Sequence, residues 1–592
     1  MIHPLKRIAS GILLCSLLIA ATVGAQEPSS HCGTALWMAQ RERARPHAGI
    51  SQSPSEARAA RLAKQAAGPP VYRTLTTDHF SLHYVLRGIN RVKTVAADAP
   101  LLHARDSLYA LLGDSADAAV YSRLDAMGAA HPAFVTTLAD YLEEARGYYV
   151  GTLKMRAPVS GSASNYYQAP PDAARIPVDV ADVGTAEPDF KTRPIYALTY
   201  PAGYGGILFD NDFLYNSKLP ANGIPAGDAI VSMVGDKLIH DYSQDWAAGI
   251  KVTCFHEFYH AVQFTYTPNP VGFHVWYEAS AVGMEERNAP EVNDYLQYVR
   301  YLFSALKNES MFEYDPYGLA TYGNGLYHMF LTQELGADFD VGVWTRLAAN
   351  GNDLKAALAA AYAVKGKVSR EVYARFGAQL AFSGTTAKMP TTPFSPDIPI
   401  WPVFPADSVD LGETAGFVSA TLPPMSMQAM KLAHAAASGK SLVLKDTVLS
   451  PVFLRLPGDS GSVTYPGLGN VPLSSLGADG PPLMLLLANG TQDRTGSGSI
   501  RVNQSRADTA VYAYPNPVNA GAAFGELDFS RVTRAVTVEV FAEDGRLVRS
   551  LDFDPATDLW SWDLADGAGS KLKPGLYYYR AGAGTLQALY LR

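Results

Sequence analysis

The residues best suited to chemistry lie in one short run, Thr253-Cys-Phe-His-Glu-Phe-Tyr-His-Ala-Val-Gln263. His256 and His260 stand four apart, so on a helix both imidazoles share a face. Two neutral imidazoles at that spacing suit one tetrahedral zinc ion. Glu257 follows directly, positioned to act on a water at the ion rather than to bind it. Its expected task is general base, then proton carrier to the leaving amine. In a shuffled chain of this composition the His-Glu-x-x-His pattern is expected only about 0.01 times.

Two histidines need a third ligand. Pro268, Pro270 and Gly272 break the helix after His260. A second apolar segment, Trp276-Tyr-Glu-Ala-Ser-Ala-Val-Gly-Met-Glu-Glu286, can return as a helix and bring Glu278 beside the histidines. His256, His260 and Glu278 would then form a His₂Glu set with one position open for water, as catalytic zinc sites require. Glu285, at i+7 from Glu278, shares its face. Two roles are open to it: orienting a histidine N–H, or serving as the ligand if the register differs. Glu285 and Glu286 also suit an ordinary solvated helix end.

These residues carry a resemblance. His256-Glu257-x-x-His260 followed by Glu278 resembles the gluzincin clan of zinc metallopeptidases, which includes the thermolysin and aminopeptidase families. Residues 76–385 look more closely like a family of bacterial secreted metalloproteases. That family pairs a His-Glu-Phe-x-His-Ala-x-Gln helix with a Trp-x-Glu-x-x-Ala-x-x-x-Glu helix. Both patterns stand here, at His256 to Gln263 and Trp276 to Glu285. The resemblance implies zinc on His256, His260 and Glu278, with Glu257 catalytic. The Asp- and Gly-rich turn of that family before the 132–150 segment is replaced here by Ala and Leu, so no calcium role is carried over.

Gluzincins also supply a Tyr or His that stabilises the oxyanion. Tyr317, Tyr322, Tyr327 and His328 lie downstream and are candidates beside an ordinary role as packed tyrosines. The strand Gly206 to Asp210 could be a sheet edge on which an extended substrate adds, or an ordinary buried strand. Cys254 precedes His256 by two residues, about 200° round the helix, so it should pack behind the ligand face. Cys32, in the leader, has three fates open: a free thiol, a disulfide with Cys254, or a thiolate on the open zinc position that holds the chain silent.

The elements that must position these groups follow from pattern. Asp78 to Tyr84 alternates as a strand, and Pro132 to Val150 has helical spacing. Residues 157–193 read as a long loop, and Ile195–Tyr200 and Ile207–Phe209 as short strands. From Val252 to Ser383 the chain reads as mostly helical, with one helix over Val292–Leu306 and others at Leu326–Leu335, Leu354–Val364 and Val372–Phe382. A Pro/Thr boundary follows over Thr385–Asp397. Beyond it, short apolar runs such as Ser441–Lys445 and Leu483–Leu487 indicate all-β structure.

The 592 residues therefore divide into a signal peptide (1–25), a leader or pro-segment (26–75), a zincin-like metallopeptidase domain (76–390), a β-rich accessory domain (398–505) and a C-terminal module (511–592). The expected class is multidomain α+β, a largely helical catalytic domain followed by β-sandwiches. Val511-Tyr-Ala-Tyr-Pro-Asn-Pro-Val518 and the Asp566-Gly567 and Pro574-Gly575 turns make the last module resemble two known domains: the C-terminal sorting domain of type IX secretion cargo, and the immunoglobulin-like domain of the flagellar hook-capping protein. The resemblance implies a bacterial protein carried through the periplasm to the surface or medium, with residues 511–592 engaging secretion machinery. A net charge of −8 argues against nucleic acid as partner, and three cysteines exclude a disulfide-dense scaffold. No segment after the signal peptide suits stable membrane insertion. The expected function is secreted zinc-dependent hydrolysis of protein or peptide bonds. The alternative is a catalytically silent surface binding protein with a structural metal.

Overall fold

The computed structural model describes residues 32–34, 71–187, 195–201, 206–215, 228–234, 237–267, 273–315, 318–385, 388–410, 417–433, 440–443, 448–455, 462–465, 470–472, 483–502, 511–514, 516–518, 527–529, 534–554 and 560–592. The signal peptide, Tyr317 and most of the leader lie outside these.

A five-stranded mixed sheet is built from β1 (Arg73–Thr76), β2 (Phe80–Tyr84), β3 (Ile176–Val180), β4 (Ala197–Thr199) and β5 (Ile207–Phe209) in the order β1-β2-β3-β5-β4. β2, β3 and β5 run parallel, whereas β1 and β4 pair antiparallel at the two edges. One sequence expectation is corrected here, and one open alternative is decided. Residues 157–193 are not simply a loop, because β3 is the sheet's central strand. All five of its residues are buried, so no alternation marks it, and Pro177 and Asp179 disguise its composition. Of the two roles open to Gly206 to Asp210 it has that of an ordinary buried strand: β5 lies between β3 and β4, and β4 is the edge strand.

Asp179 on β3 is buried and accepts N–H bonds from Tyr166 (2.6 Å) and Tyr167 (3.3 Å). Burial pushes its pKa from 3.8 up to about 7, against the pull of those N–H groups. A folded pKa above the unfolded one means that proton uptake stabilises the fold below about pH 4, a contribution lost as the pH rises through about 7. Asp179→Asn cannot titrate. Between about pH 5 and pH 8 it should therefore lose less stability than the parent, by on the order of 1–3 kcal/mol in urea unfolding.

Helix α1 (Ala133–Arg146) starts after Pro132 and continues as a π-helical turn over Gly147–Thr152. It buries Phe134, Val135, Leu138 and Leu142, the stripe that its i, i+3, i+4 spacing implies. It packs on α2 (Trp246–Gln263), which is buried nearly all round because α1, β4 and the next helix, α3 (His274–Asn288), surround it. α4 (Gly325–Leu335), ended by Gly336 at φ 93°, packs against α3. That approach needs Gly283: a Cβ there would lie 2.1 Å from His328 Nδ1. The single helix expected over Val292–Leu306 is broken. Asn293 is left-handed (φ 57°), a 3₁₀ turn spans Asp294–Tyr298, and the α-helix begins at Val299. The tight turn lets the Asp294 carboxylate accept from Tyr196 (3.1 Å) and Tyr242 (2.8 Å).

α5 (Ser369–Leu380) joins the helical region to the first β-sandwich. A Cβ on Gly377 would stand 2.7 Å from Leu486, so helix and sheet are in direct contact. The strand Leu483–Asn489 is buried along its whole length. One face, with Met484 and Leu486, joins the main core, and the other, with Leu485 and Leu487, packs inside the sandwich. That explains its unbroken apolar run. Thr385–Asp397 leads into this contact with Phe394 buried and Ser395 3.1 Å from the Tyr295 hydroxyl. The C-terminal strands enclose a separate core that includes Val511, Phe529, Val538, Val540, Trp560 and Trp562. The chain is thus mixed α/β, and among the described residues no helix is long and apolar enough to cross a membrane.

Candidate metal centre

α2 and α3 bring three of the sequence candidates together, and the leader adds a fourth. His256 and His260 lie one turn apart on α2, with 5% and 0% of their surface exposed. Their Nε2 atoms are 2.9 Å apart. Glu278, on α3 and fully buried, sets Oε2 3.3 Å from His256 Nε2 and 3.5 Å from His260 Nε2. The fourth member of the cluster is Cys32, whose Sγ lies 3.4 Å from His260 Nε2 and 3.9 Å from Glu278 Oε1. The donor atoms of all four residues fall within 4.8 Å of one another, a cluster that can hold a metal ion.

The far sides of both rings are held by acceptors. His256 Nδ1 meets Glu285 Oε1, and His260 Nδ1 lies 2.6 Å from Gln263 Oε1. The Gln263 amide is fixed in turn, because its Nε2 donates to Tyr277 O (3.0 Å) and to Ser280 Oγ (3.0 Å). Both Nδ1 atoms therefore act as donors, and both Nε2 lone pairs point into the cluster. Two lone pairs 2.9 Å apart repel unless a cation lies between them, and the buried Glu278 Oε2 is left without a hydrogen-bond donor. The donor set fits a metal on these grounds. The Tyr277 ring, stacked on His260 at 4.9 Å, closes the apolar side.

The electrostatics agree. Burial opposes a charge on His260, yet the Cys32 sulfur and the Glu278 carboxylate outweigh it and raise the pKa to about 10. His256 is also raised, burial being outweighed by Cys32, Glu285 and Glu278. Burial works against the Glu278 charge as well, but the two imidazoles hold its pKa down to about 2. A buried cluster with such preferences draws in positive charge, with protons and metal competing for it.

Glu257 is buried beside the cluster and outside the donor set. Its Oε2 accepts from Thr199 Oγ1 (2.7 Å), at the end of β4, and from Thr34 Oγ1 (3.1 Å). Of the oxyanion candidates, Tyr322 reaches this place: it lines a small cavity with His256, Glu257, Tyr196, Tyr298 and Asp294. The Tyr327 hydroxyl is 2.5 Å from Tyr362, His328 Nε2 is 3.3 Å from Asp340, and neither residue lines that cavity. Cys254 packs behind α2, with its Sγ 3.8 Å from Leu138 O, and neither it nor Cys32 is in a disulfide. Sequence reasoning missed Gln263, Thr199, Thr34 and Tyr298 as parts of the site. Only Gln263, at i+3 from His260, carried a spacing signal.

No protein-family model matches the chain, and no curated protein matches it. Among solved structures it shows partial similarity to PorZ, a bacterial surface component of the type-IX secretion system of Porphyromonas gingivalis (19% identity, 18% of this chain and 15% of that chain, TM-score 0.13). Dimeric latent PorU from Porphyromonas gingivalis is similar over 32% of this chain and 19% of that one (15% identity, TM-score 0.11). A β-glucuronidase from Ruminococcus gnavus is similar over 30% and 36% (10% identity, TM-score 0.12). The chain thus spans less than a fifth of the length of PorZ and of PorU.

Proposed function

We propose that the chain is a secreted zinc metallopeptidase of zincin-like fold, with the ion held by His256, His260 and Glu278 and with Glu257 as general base. One observation carries this reading. Two imidazole Nε2 atoms and a carboxylate oxygen converge on one point, while a second carboxylate, Glu257, stands beside that point outside the donor set. Zinc bonds of about 2.0–2.2 Å at tetrahedral angles put donor atoms about 3.3 Å apart. The separations of 2.9, 3.3 and 3.5 Å straddle that value. A mixed sheet whose edge strand β4 runs beside the histidine helix, and a return helix that supplies Glu278, support the zincin-like assignment.

Zinc, when bound, would supply a Lewis acid for the scissile carbonyl and make a neighbouring water acidic. Glu257 takes the proton of the attacking water and passes it to the leaving nitrogen. Thr199 orients that carboxylate from one side. Glu285 and Gln263 keep both imidazoles in the tautomer that faces the ion. The Tyr322 hydroxyl is within reach to donate to the developing oxyanion. Substrates are proteins or peptides. The four-donor set with Cys32 favours one other reading, a silent surface protein whose metal is structural, because structural sites are closed. Fluorogenic-peptide turnover by the Cys32→Ser protein separates the two. Loss on chelation and recovery with zinc supports the peptidase, and bound zinc without turnover supports the silent protein.

Residues 511–592 are proposed to act as the export signal through the type IX machinery. Their separate core predicts that deletion from Val511 onward leaves the metal domain folded. In the native host the truncated protein should accumulate in the periplasm. Unchanged levels in the medium, measured by immunoblot of cell fractions, would instead make the module an accessory sandwich.

A further inference from the structure

Residues 32–34 belong to the leader, yet they are fitted into the metal centre, 228 positions before His260. Cys32 and Thr34 are buried, with 3% and 0% exposed. The contacts of this tripeptide fall on the groups that hydrolysis would use. Cys32 Sγ closes the donor cluster, 3.4 Å from His260 Nε2, and accepts the Thr34 N–H at 3.3 Å. The Cys32 carbonyl accepts from the Tyr322 hydroxyl at 3.4 Å. Gly33 N–H donates to Ala197 O on the edge strand β4 at 2.9 Å, and Cys32 bridges Ala197 in parallel. Thr34 Oγ1 accepts from Thr199 N–H at 2.8 Å and donates to Glu257 Oε2 at 3.1 Å.

Building on the peptidase reading, we propose that Cys32-Gly33-Thr34 is an internal latch. Cys32 Sγ is the fourth ligand of the metal and Thr34 ties up the general base, so the full chain is held latent until the tripeptide withdraws. A thiolate is a strong ligand for zinc and fills the position that a water needs. Coordination releases the thiol proton, and withdrawal returns it as water takes the vacated position, so the step is a ligand exchange with no redox partner. A sulfur serving only to complete a structural site would have no use for a neighbour clamped on Glu257, which donates nothing to the metal. The latch also meets the edge strand and Tyr322, the groups a substrate's backbone would use, and so excludes substrate while it is in place.

The test uses the full-length chain loaded with cobalt(II) for absorption and with zinc for peptide turnover. Cobalt(II) accepts the same tetrahedral N, O and S donors. The parent protein should show a thiolate-to-cobalt charge-transfer band that Cys32→Ser lacks. Cys32→Ser should keep one metal per chain and hydrolyse a quenched-fluorescent peptide roughly tenfold or more faster than the parent, because water regains its position. Thr34→Ala, which keeps the sulfur, should retain the band and stay slow. Should Cys32→Ser fail to fold, Gly33→Pro, which removes the donor to Ala197 and restricts the backbone of the tripeptide, should weaken the band and raise turnover. Absence of the band in the parent overturns the proposal, as does equal turnover by the parent and Cys32→Ser. If the band is present but no variant shows chelator-sensitive turnover, the peptidase reading itself fails and the latch with it. If the parent is as active as the variant, the peptidase stands and the latch alone falls.

Discussion

Glu257→Gln is expected to lower peptide turnover by roughly 10²–10⁴-fold while the protein still binds about one zinc ion per chain. Glu257 is next to a ligand in sequence but outside the donor set, so the amide removes a base and leaves the metal's ligands in place. Gln keeps an oxygen that can accept from Thr199 Oγ1, so the local fold should hold. The comparison belongs in the Cys32→Ser protein, where the cleft is open. His256→Ala in the same background should lose the metal as well as the activity, which separates loss of a base from loss of a ligand. Near-native turnover by Glu257→Gln would show that another group takes the proton.

The second large effect concerns the two glutamates of α3. Glu278 presents its oxygen to both Nε2 atoms, whereas Glu285 meets the opposite nitrogen, Nδ1, of His256. In the Cys32→Ser background, Glu278→Ala should therefore weaken zinc binding by roughly 10³-fold or more, as expected when one of three protein ligands is removed. Glu285→Ala should cost about 10–100-fold, the usual effect of losing the partner that orients a ligand. Competition titration against a chromogenic chelator reads both. A larger loss for Glu285→Ala would reverse the assignment.

The part of the centre carried on helices was legible in the sequence because helical spacing converts directly into a shared face. His256 with His260, and Glu278 with Glu285, needed only the 3.6-residue period and the proline break between their helices. Three features were not legible, for separate reasons. β3 is buried on both sides and interrupted by Pro177 and Asp179, so neither alternation nor composition marks it. The order of strands in a sheet is a tertiary property: Ile207–Phe209 and Ala197–Thr199 are both short apolar runs, and only pairing makes the second the edge. Cys32 could be placed among three fates, but a contact across 228 residues leaves no periodic trace. The same holds for Thr34, Thr199 and Tyr298, which reach the site from a leader segment, an edge strand and a 3₁₀ turn.

The long Leu483–Asn489 run shows the converse. Its apolar continuity was read as β-structure, and burial against both α5 and the rest of the sandwich explains why no polar face interrupts it. The Thr385–Asp397 stretch reads in sequence as a turn-rich boundary, whereas Phe394 and Tyr295 tie it to the helical region that carries α3. Chain composition alone does not separate a packed connection from an exposed one.

Glu257 and a metal on His256, His260 and Glu278 are proposed to hydrolyse peptide bonds. The most direct test is mass spectrometry of a peptide library incubated in ¹⁸O-water with zinc-loaded Cys32→Ser protein, with the Cys32→Ser/Glu257→Gln double variant as the blank. New C-termini carrying one ¹⁸O atom are expected, formed only when both Glu257 and the metal are present. Products formed equally by the double variant, or by metal-free protein, or an intact library after incubation with the fully zinc-loaded protein, would contradict the proposal.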